Sequence, residues 1–391
     1  MVGVVHPLRR GALCRDGTAA IDDYMPIASD DFQAAGLYDP AAADATDRLA
    51  LLSWLTEHGL SIAQLVALGR QTPLITLAGD LAMRPGERLT VAEAAARAGV
   101  TPARVERIRL ASGLPPVAIA EPACTEGDVD TFRNFAMAAA IFGEEAMLQF
   151  TRVLGASLAR VAEAAIALFV VHIDLPARET HASSVAVAQA NLAAAQTIGI
   201  LPRTMDAMLR AHLEAAIRRQ RALHSTDRGD LVAITVGFVD LVGFTPLARQ
   251  LSATQLGAMV ERFEALASDI TTTRSGRLVK VIGDAVMFVA PRADIGCDIA
   301  LTLIDQFAND AEVLPRGGLA SGETLMRGGD YYGPIVNLAA RIADLAVPRE
   351  ILVTPAVVEG TRGAPYRFET AGRRTLKGVD EPQLVYVVAR A

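Results

Sequence analysis

From residue 47 to about residue 222, apolar residues recur at helical spacing in a stretch rich in Ala, Leu, Arg and Glu. Turn signals punctuate it at His58-Gly59, Arg84-Pro85-Gly86, Gly113-Leu114-Pro115-Pro116 and Leu201-Pro202. Residues 1–45 hold no period and are expected to form a flexible N-terminal segment. After residues 226–230 the texture changes. Apolar runs at 231–239, 278–282, 286–289 and 384–388 have the length of strands and alternate with helical stretches. The pattern predicts an all-α domain over 46–203, a linker helix over 204–228 and an α+β domain over 229–391.

In the linker, Met205, Leu209, Leu213 and Ile217 fall four apart and line one helix face. Its last turn is basic (Arg218, Arg219, Arg221), which suits a helix C-terminus. A helix entering the second domain can carry movement between domains; a surface helix packed on its own domain has the same pattern.

A chain of 391 residues exceeds one ordinary core, in line with two domains. With 51% hydrophobic and 21% charged residues, it is not a mostly disordered polymer. The net charge of −7 lacks the basic footprint of nucleic-acid binding, so no nucleic-acid partner is expected. Cys14, Cys124 and Cys297 are odd in number and scattered, which gives neither a zinc spacing nor a disulfide framework and suits a reducing cytoplasm.

The mean hydropathy of +0.30 raises the question of a membrane span. The run 164–173 is bracketed by Glu163 and Asp174 and has about half of the ~20 residues a span needs. The charge-free run 182–202 is long enough but carries Ser183, Ser184, Gln189, Asn191 and Gln196. Both read as buried helices, and no transmembrane segment is expected. Arg9 and Arg10 precede no apolar stretch of signal-peptide length. A cytoplasmic protein, at most peripheral to a membrane, is the expectation.

Two carboxylates stand at strand ends in the second domain. Asp240 closes the first apolar run in FVDLVGFT, and Asp284 follows Gly283 in the turn of a predicted hairpin in LVKVIGDAVMF. In a β-α-β-β-α-β order the first strand pairs with the third, which brings these two residues together. Converging carboxylates repel unless a cation neutralises them, and hard divalent ions prefer oxygen ligands. Taken singly, a helix-capping Asp240 and a plain turn Asp284 are equally good readings. Val242, Gly243, Phe244 and Thr245 follow Asp240 and lead into a helix near Pro246, an arrangement whose N–H groups can cradle phosphate.

FVDLVGFT, LVKVIGDAVMF and then GDYYGPIVNLAAR resemble, in order and spacing, the catalytic signature of class III nucleotide cyclases over about residues 229–391. The resemblance is greatest to soluble actinobacterial adenylyl cyclases with an N-terminal helical regulatory domain. It implies a ferredoxin-like catalytic domain (βαββαβ core) that turns ATP into cyclic AMP and pyrophosphate with two Mg²⁺ or Mn²⁺ ions. It implies Asp240 and Asp284 as metal ligands, Lys280 and Asp330 as base-reading residues, and Asn337 and Arg341 as the groups that orient the ribose and stabilise the transition state. Lys377, in TLKGVDEP, matches a lysine that some members bring to the phosphates.

The chemistry of the residues agrees. Adenine presents an acceptor at N1 and a donor at N6, which Lys280 and Asp330 complement; guanine has the opposite polarity. Asn337 and Arg341, four apart on a helix predicted over 335–345, share one face. Lys280 and Asp284 are too close in sequence to serve opposite ends of one ATP. The family shares each site between subunits, so the resemblance implies a homodimer.

In the helical domain, LTVAEAAARAGVTPARVERIRLASGLP resembles a helix-turn-helix with Arg104, Arg107 and Arg109 on its second helix. A DNA-binding regulator with a nucleotide-sensing C-terminal domain is the rival reading. His172, His181, His212 and His224 precede the second domain and suit pH sensing, though each is equally an ordinary histidine. The related cyclases respond to pH and fatty acids. The apolar helices of 135–200 are consistent with an enclosed fatty acid or other lipid, and equally with solid core.

Overall fold

Capping chemistry divides the N-terminal helical stretch into short elements. The side chains of Ser61, Thr90, Thr101 and Ser183 each accept a hydrogen bond from a backbone N–H of the first turn. The computed structural model describes residues 29–70, 72–180, 182–223, 231–307, 313–378 and 381–391, and the side chains of 222, 223, 245 and 246 are also outside the description. Residues 1–28, the texture change at 226–230, Cys14, His181, His224 and the Thr245 side chain therefore lie outside the described residues.

The helices are α1 (Ser29–Ala34), α2 (Ala45–Glu57), α3 (Ile62–Leu68), α4 (Leu74–Met83), α5 (Val91–Ala98), α6 (Pro102–Ala111), α7 (Glu126–Phe142) and α8 (Glu144–Phe169). A π-turn (Val170–Asp174), α9 (Leu175–Glu179), α10 (Ser184–Ile198) and α11 (Leu201–Leu223) follow. The chain forms two compact units, Met1–Ile141 with Ala156–Met205 and Phe142–Gly155 with Asp206–Ala391. In the first, Leu51, Leu52, Leu55, Leu65 and Leu77 form a core with Phe32 and Ala188. Phe32 lies on α1, inside the segment expected to be flexible. At six residues α1 is too short for a period to show, and one buried aromatic docks it.

Of the two apolar runs expected to be buried, 164–173 is largely exposed and 182–202 is buried on one face only. In α8 only Leu148 and Gly155 are buried, while Ile166, Leu168 and Val171 of the run are 49%, 63% and 55% exposed. In α10 only Ala188 and Ala195 are buried. The physical reason is that the outer face of α8 has no covering layer among the described residues, whereas α10 is covered on one face only, where Val185, Ala188 and Leu192 pack with Leu74, Leu77 and Ala78 of α4. By length and composition alone, Glu144–Glu179 and Ser184–Arg221 are long and apolar enough to cross a membrane.

The second unit contains β1 (Leu231–Val242), α12 (Phe244–Ala248), α13 (Ala253–Thr273), β2 (Arg277–Ile282), β3 (Ala285–Ala290), α14 (Ala293–Gln306) and β4 (Leu314–Arg327). β5 (Asp330–Tyr332), α15 (Pro334–Leu345), β6 (Ile351–Val353), α16 (Pro355–Gly360), β7 (Tyr366–Arg374) and β8 (Gln383–Arg390) complete it. The strands form one sheet in the order β2-β3-β1-β4-β6-β8-β7, with β5 paired to β4. β1 lies antiparallel to both β3 and β4, the ferredoxin-like βαββαβ arrangement that the motifs imply.

Alternation along β1 sorts its residues between two cores. Val239 and Leu241 pack with Phe263 of α13 and Cys297 and Ala300 of α14. Val232, Ile234, Val236 and Phe238 pack on the other face with Ala339 and Ala343 of α15. Gly318 of β4 allows that helix its close approach: a Cβ there would lie 2.4 Å from the Ala343 nitrogen and 2.6 Å from the Ala339 oxygen.

Candidate active site

Asp240 sits two residues before the end of β1, directly opposite Ala285 of β3. The Leu241 N–H donates to the Asp284 carbonyl at 3.2 Å, which ties the β2–β3 turn to β1 and brings the two aspartates together. Burial pushes the Asp284 acid upward; its own backbone hydrogen bond opposes this, the Asp240 charge adds to it and Arg316 offsets part. Two converging oxygen donors suit a hard divalent cation, and a cation there would offset what raises the Asp284 acid. Among the described residues no group of three His, Cys, Asp or Glu converges, so further ligands to such an ion would come from substrate or water.

Gly243 follows in the left-handed region (φ 80°), and α12 begins at Phe244, ahead of the expected start near Pro246, for only five residues. Val242 is half-buried and Gly243 exposed at this turn.

On β2, Lys280 reaches the tip of the β4–β5 hairpin, where its Nζ donates to Asp330 Oδ2 at 2.6 Å. Asp330 Oδ1 accepts the Tyr331 N–H at 2.8 Å, so both carboxylate oxygens are oriented. The side chains are 38% and 25% exposed, which leaves the pair open to a ligand.

Asn337 and Arg341 stand one turn apart on α15, the first exposed and the second half-buried. Arg341 Nη1 donates to the Gly378 carbonyl at 3.4 Å, so the exposed Lys377 is carried beside Arg341 by the same loop. The structure thus forms three local groupings: Asp240 with Asp284, Lys280 with Asp330, and Asn337 and Arg341 with the Lys377 loop. Among the described contacts, no hydrogen bond or ion pair joins one grouping to another.

α5 and α6 form the two expected helices, with Gly99 left-handed between them (φ 70°); two of the three arginines of α6 are engaged within the protein, and Arg107 is exposed. Arg109 is only 7% exposed and its Nη2 donates to the Pro115 carbonyl. The Arg104 guanidinium lies over the Phe135 ring, 5.6 Å from its centroid. Both contacts are packing within the protein.

Residues 228–390 match the family model described as the adenylate and guanylate cyclase catalytic domain, and residues 30–217 match the adenylate cyclase regulatory domain. An adenylate cyclase of Streptomyces coelicolor is 32% identical over 75% of this chain and 78% of its own length. The chain belongs to the class III adenylyl cyclase family. An uncharacterized Mycobacterium tuberculosis protein is 32% identical to the cyclase over 93% of it and 94% of the relative. A pH-sensitive adenylate cyclase of M. tuberculosis is 28% identical over 85% of both chains. Among solved structures, an adenylyl cyclase from P. aeruginosa covers 41% of the cyclase and 95% of its own chain, at 23% identity and a TM-score of 0.36.

Arg316 of the cyclase carries no functional signal in the sequence. It lies opposite Asp240 in the β1–β4 register and donates from Nη2 to Asp240 Oδ2 at 3.2 Å. Its Nη1 donates to the Asp344 and Ala346 carbonyls at 2.8 and 3.1 Å. Pro315, Gly317 and Gly318 around it signal a turn. Only the strand register puts the guanidinium beside the carboxylates.

Proposed function

We propose that the cyclase converts ATP to 3′,5′-cyclic AMP and pyrophosphate at sites shared between two copies of the chain, with Asp240 and Asp284 holding two Mg²⁺ or Mn²⁺ ions. The observation that carries this reading is the convergence of the two carboxylates, with an Asp284 acid raised first by burial and then further by Asp240's charge. When bound, such ions supply activation of the 3′-hydroxyl and charge neutralisation on the leaving pyrophosphate.

Lys280 donates to adenine N1 and Asp330 accepts from the N6 amino group. Asn337 orients the ribose so that its 3′-oxygen faces the α-phosphorus. The 3′-hydroxyl gives up its proton to solvent, its oxygen bonds to phosphorus as the bond to the bridging oxygen breaks, and pyrophosphate departs with that electron pair. Arg341 meets the charge that spreads over the equatorial oxygens, which favours the transition state over the ground state. Val242 to Thr245 offer backbone N–H groups to the phosphates and Lys377 a point charge. The shared site is supported by the spacing of Lys280 and Asp284, four residues apart on one hairpin, which spans only ~13 Å even fully extended.

An open apolar groove of about 760 Å³ in the helical unit favours a lipid-responsive regulatory domain. Leu168, Phe169, Ile173, Ile198 and Leu201 line it, with His172, Thr197 and Thr204 as its polar groups. A fatty acid suits that lining, and His172 offers a titratable group at it. The catalytic half is tested by quantifying cyclic AMP and pyrophosphate from purified protein with ATP and Mg²⁺ or Mn²⁺. Equimolar products and dependence on the metal are expected. Metal-independent turnover, or none with either ion, contradicts the reading.

A further inference from the structure

The carboxylate of Asp330 rides on a hairpin tip that no strand ladder holds against β2. β5 pairs with β4, and β2 pairs with β3. The turn between β4 and β5 is Gly328-Gly329, both left-handed (φ 59° and 80°), with Arg327 opposite Asp330. Such a two-residue turn fixes hairpin twist, but two glycines leave its tip the greatest backbone freedom.

Side chains of β2 bridge the gap instead. Lys280 takes Asp330 itself. Three residues earlier, Arg277 Nη2 donates to the Gly329 carbonyl. The Arg277 guanidinium also lies over the Tyr331 ring, 5.4 Å from the centroid. Tyr331 is 6% exposed and packs in the core beneath α15, so its ring is a fixed support. One guanidinium therefore grips the residues on both sides of Asp330.

We infer that Arg277 is a positioning residue for nucleobase selectivity, pinning Gly329 and Tyr331 so that the Asp330 carboxylate stays where the amino group of the base must donate. This rests on the reading of Lys280 and Asp330 as the base-reading pair. Without Arg277, Lys280 is the remaining side-chain tether for that carboxylate, and Lys280 must also donate to the base. The tip then samples positions in which Asp330 accepts poorly from an amino group, and the discrimination between adenine and guanine weakens. Arg277 touches no reacting atom, so its loss acts on binding of the base and not on the phosphoryl step.

The test is steady-state kinetics of the full-length chain with ATP and with GTP, for Arg277→Ala, Arg277→Lys, Asp330→Asn and the Arg277→Ala/Asp330→Asn pair. Arg277→Ala is expected to raise KM for ATP about tenfold, the scale of one charge-assisted hydrogen bond, with kcat little changed. The preference for ATP over GTP falls in parallel. Arg277→Lys recovers part of it, because an ammonium donates to the carbonyl but lacks the planar face that stacks. In the Asp330→Asn background the loss of Arg277 has no further effect, as expected of residues acting through one another. If Asp330→Asn itself leaves ATP selectivity intact, the base-reading assignment fails and the inference with it. If Asp330→Asn weakens ATP binding but Arg277→Ala keeps wild-type KM and selectivity, Arg277 alone is overturned. Additive losses that fall equally on both nucleotides also overturn it.

Discussion

Arg316 on β4 and Asp240 on β1 face one another across the sheet, with Nη2 3.2 Å from Oδ2. The other terminal nitrogen of the guanidinium holds the C-terminal carbonyls of α15, the helix that carries Asn337 and Arg341. A cation suits a helix C-terminus as well as a carboxylate. One side chain thus links the proposed metal ligands to the helix of the proposed transition-state residues. In the shared-site reading those two groups serve different sites of the dimer.

Removal of this link takes the guanidinium from beside Asp240 and Asp284 and a side-chain donor from the Asp344 and Ala346 carbonyls at the end of α15. Arg316→Ala should lower stability by about 2 kcal/mol, the scale of charged hydrogen bonds, and reduce cyclic AMP formation about tenfold or more. Arg316→Lys keeps the charge but not the fork and should fall between. Melting curves and metal titrations of activity check this. A variant with wild-type melting and metal dependence would show that the contact is incidental.

Selectivity should follow the Lys280–Asp330 pair. Replacing them with Glu and Cys reverses the hydrogen-bonding polarity, and should remove most ATP turnover, by about a hundredfold or more. Rates with ATP and GTP measure it. Undiminished ATP preference in the double variant contradicts the assignment.

Acid stability of the catalytic unit should depend on Asp298. Burial alone would raise its acid, but hydrogen bonds and charge from Arg390 and Arg274 outweigh that and hold it below the usual carboxylate range. A carboxyl lowered on folding stabilises the fold above its unfolded value, and that stability is lost as pH falls through the folded value. Asp298→Asn should cost about 1 kcal/mol at neutral pH, discounted for partial exposure. The difference should vanish below the carboxylate range. Denaturant melts at several pH values measure it; a gap that stays constant into strong acid would rule out this network as the cause.

Regulation should require the helical unit. A shortened chain beginning near Asp227 should remain a cyclase but lose the full-length response to pH or oleate across about pH 5.5–8, the range that brackets histidine titration. A coupling of ~1–3 kcal/mol corresponds to roughly 5–150-fold. Identical profiles for both chains would leave the helical unit a passive module.

Much of the catalytic fold is legible because strand and helix periods alternate and the motifs fall at their junctions. Asp240 and Asp284 are predicted to meet from strand order alone, and the β1–β3 register has that order. Arg316 is not legible, since its role exists only through the β1–β4 pairing and Pro315 with two glycines disguises the strand. Arg277 is equally silent, because its partners are a backbone carbonyl and an aromatic face. In the helical unit, the apolar runs give helix positions correctly. Their exposure is decided by what covers them, and one chain's periodicity does not encode that.

The most direct measurement of the central claim is complementation between two inactive variants, Asp240→Ala and Arg341→Ala, co-expressed with separable tags and assayed as purified heterodimers. Each alone should be nearly inactive. The mixed dimer should recover up to about half the wild-type rate, because one of its two sites takes its metal ligands from one copy and its arginine from the other. Mixed dimers that form but make no cyclic AMP would contradict sites shared between subunits.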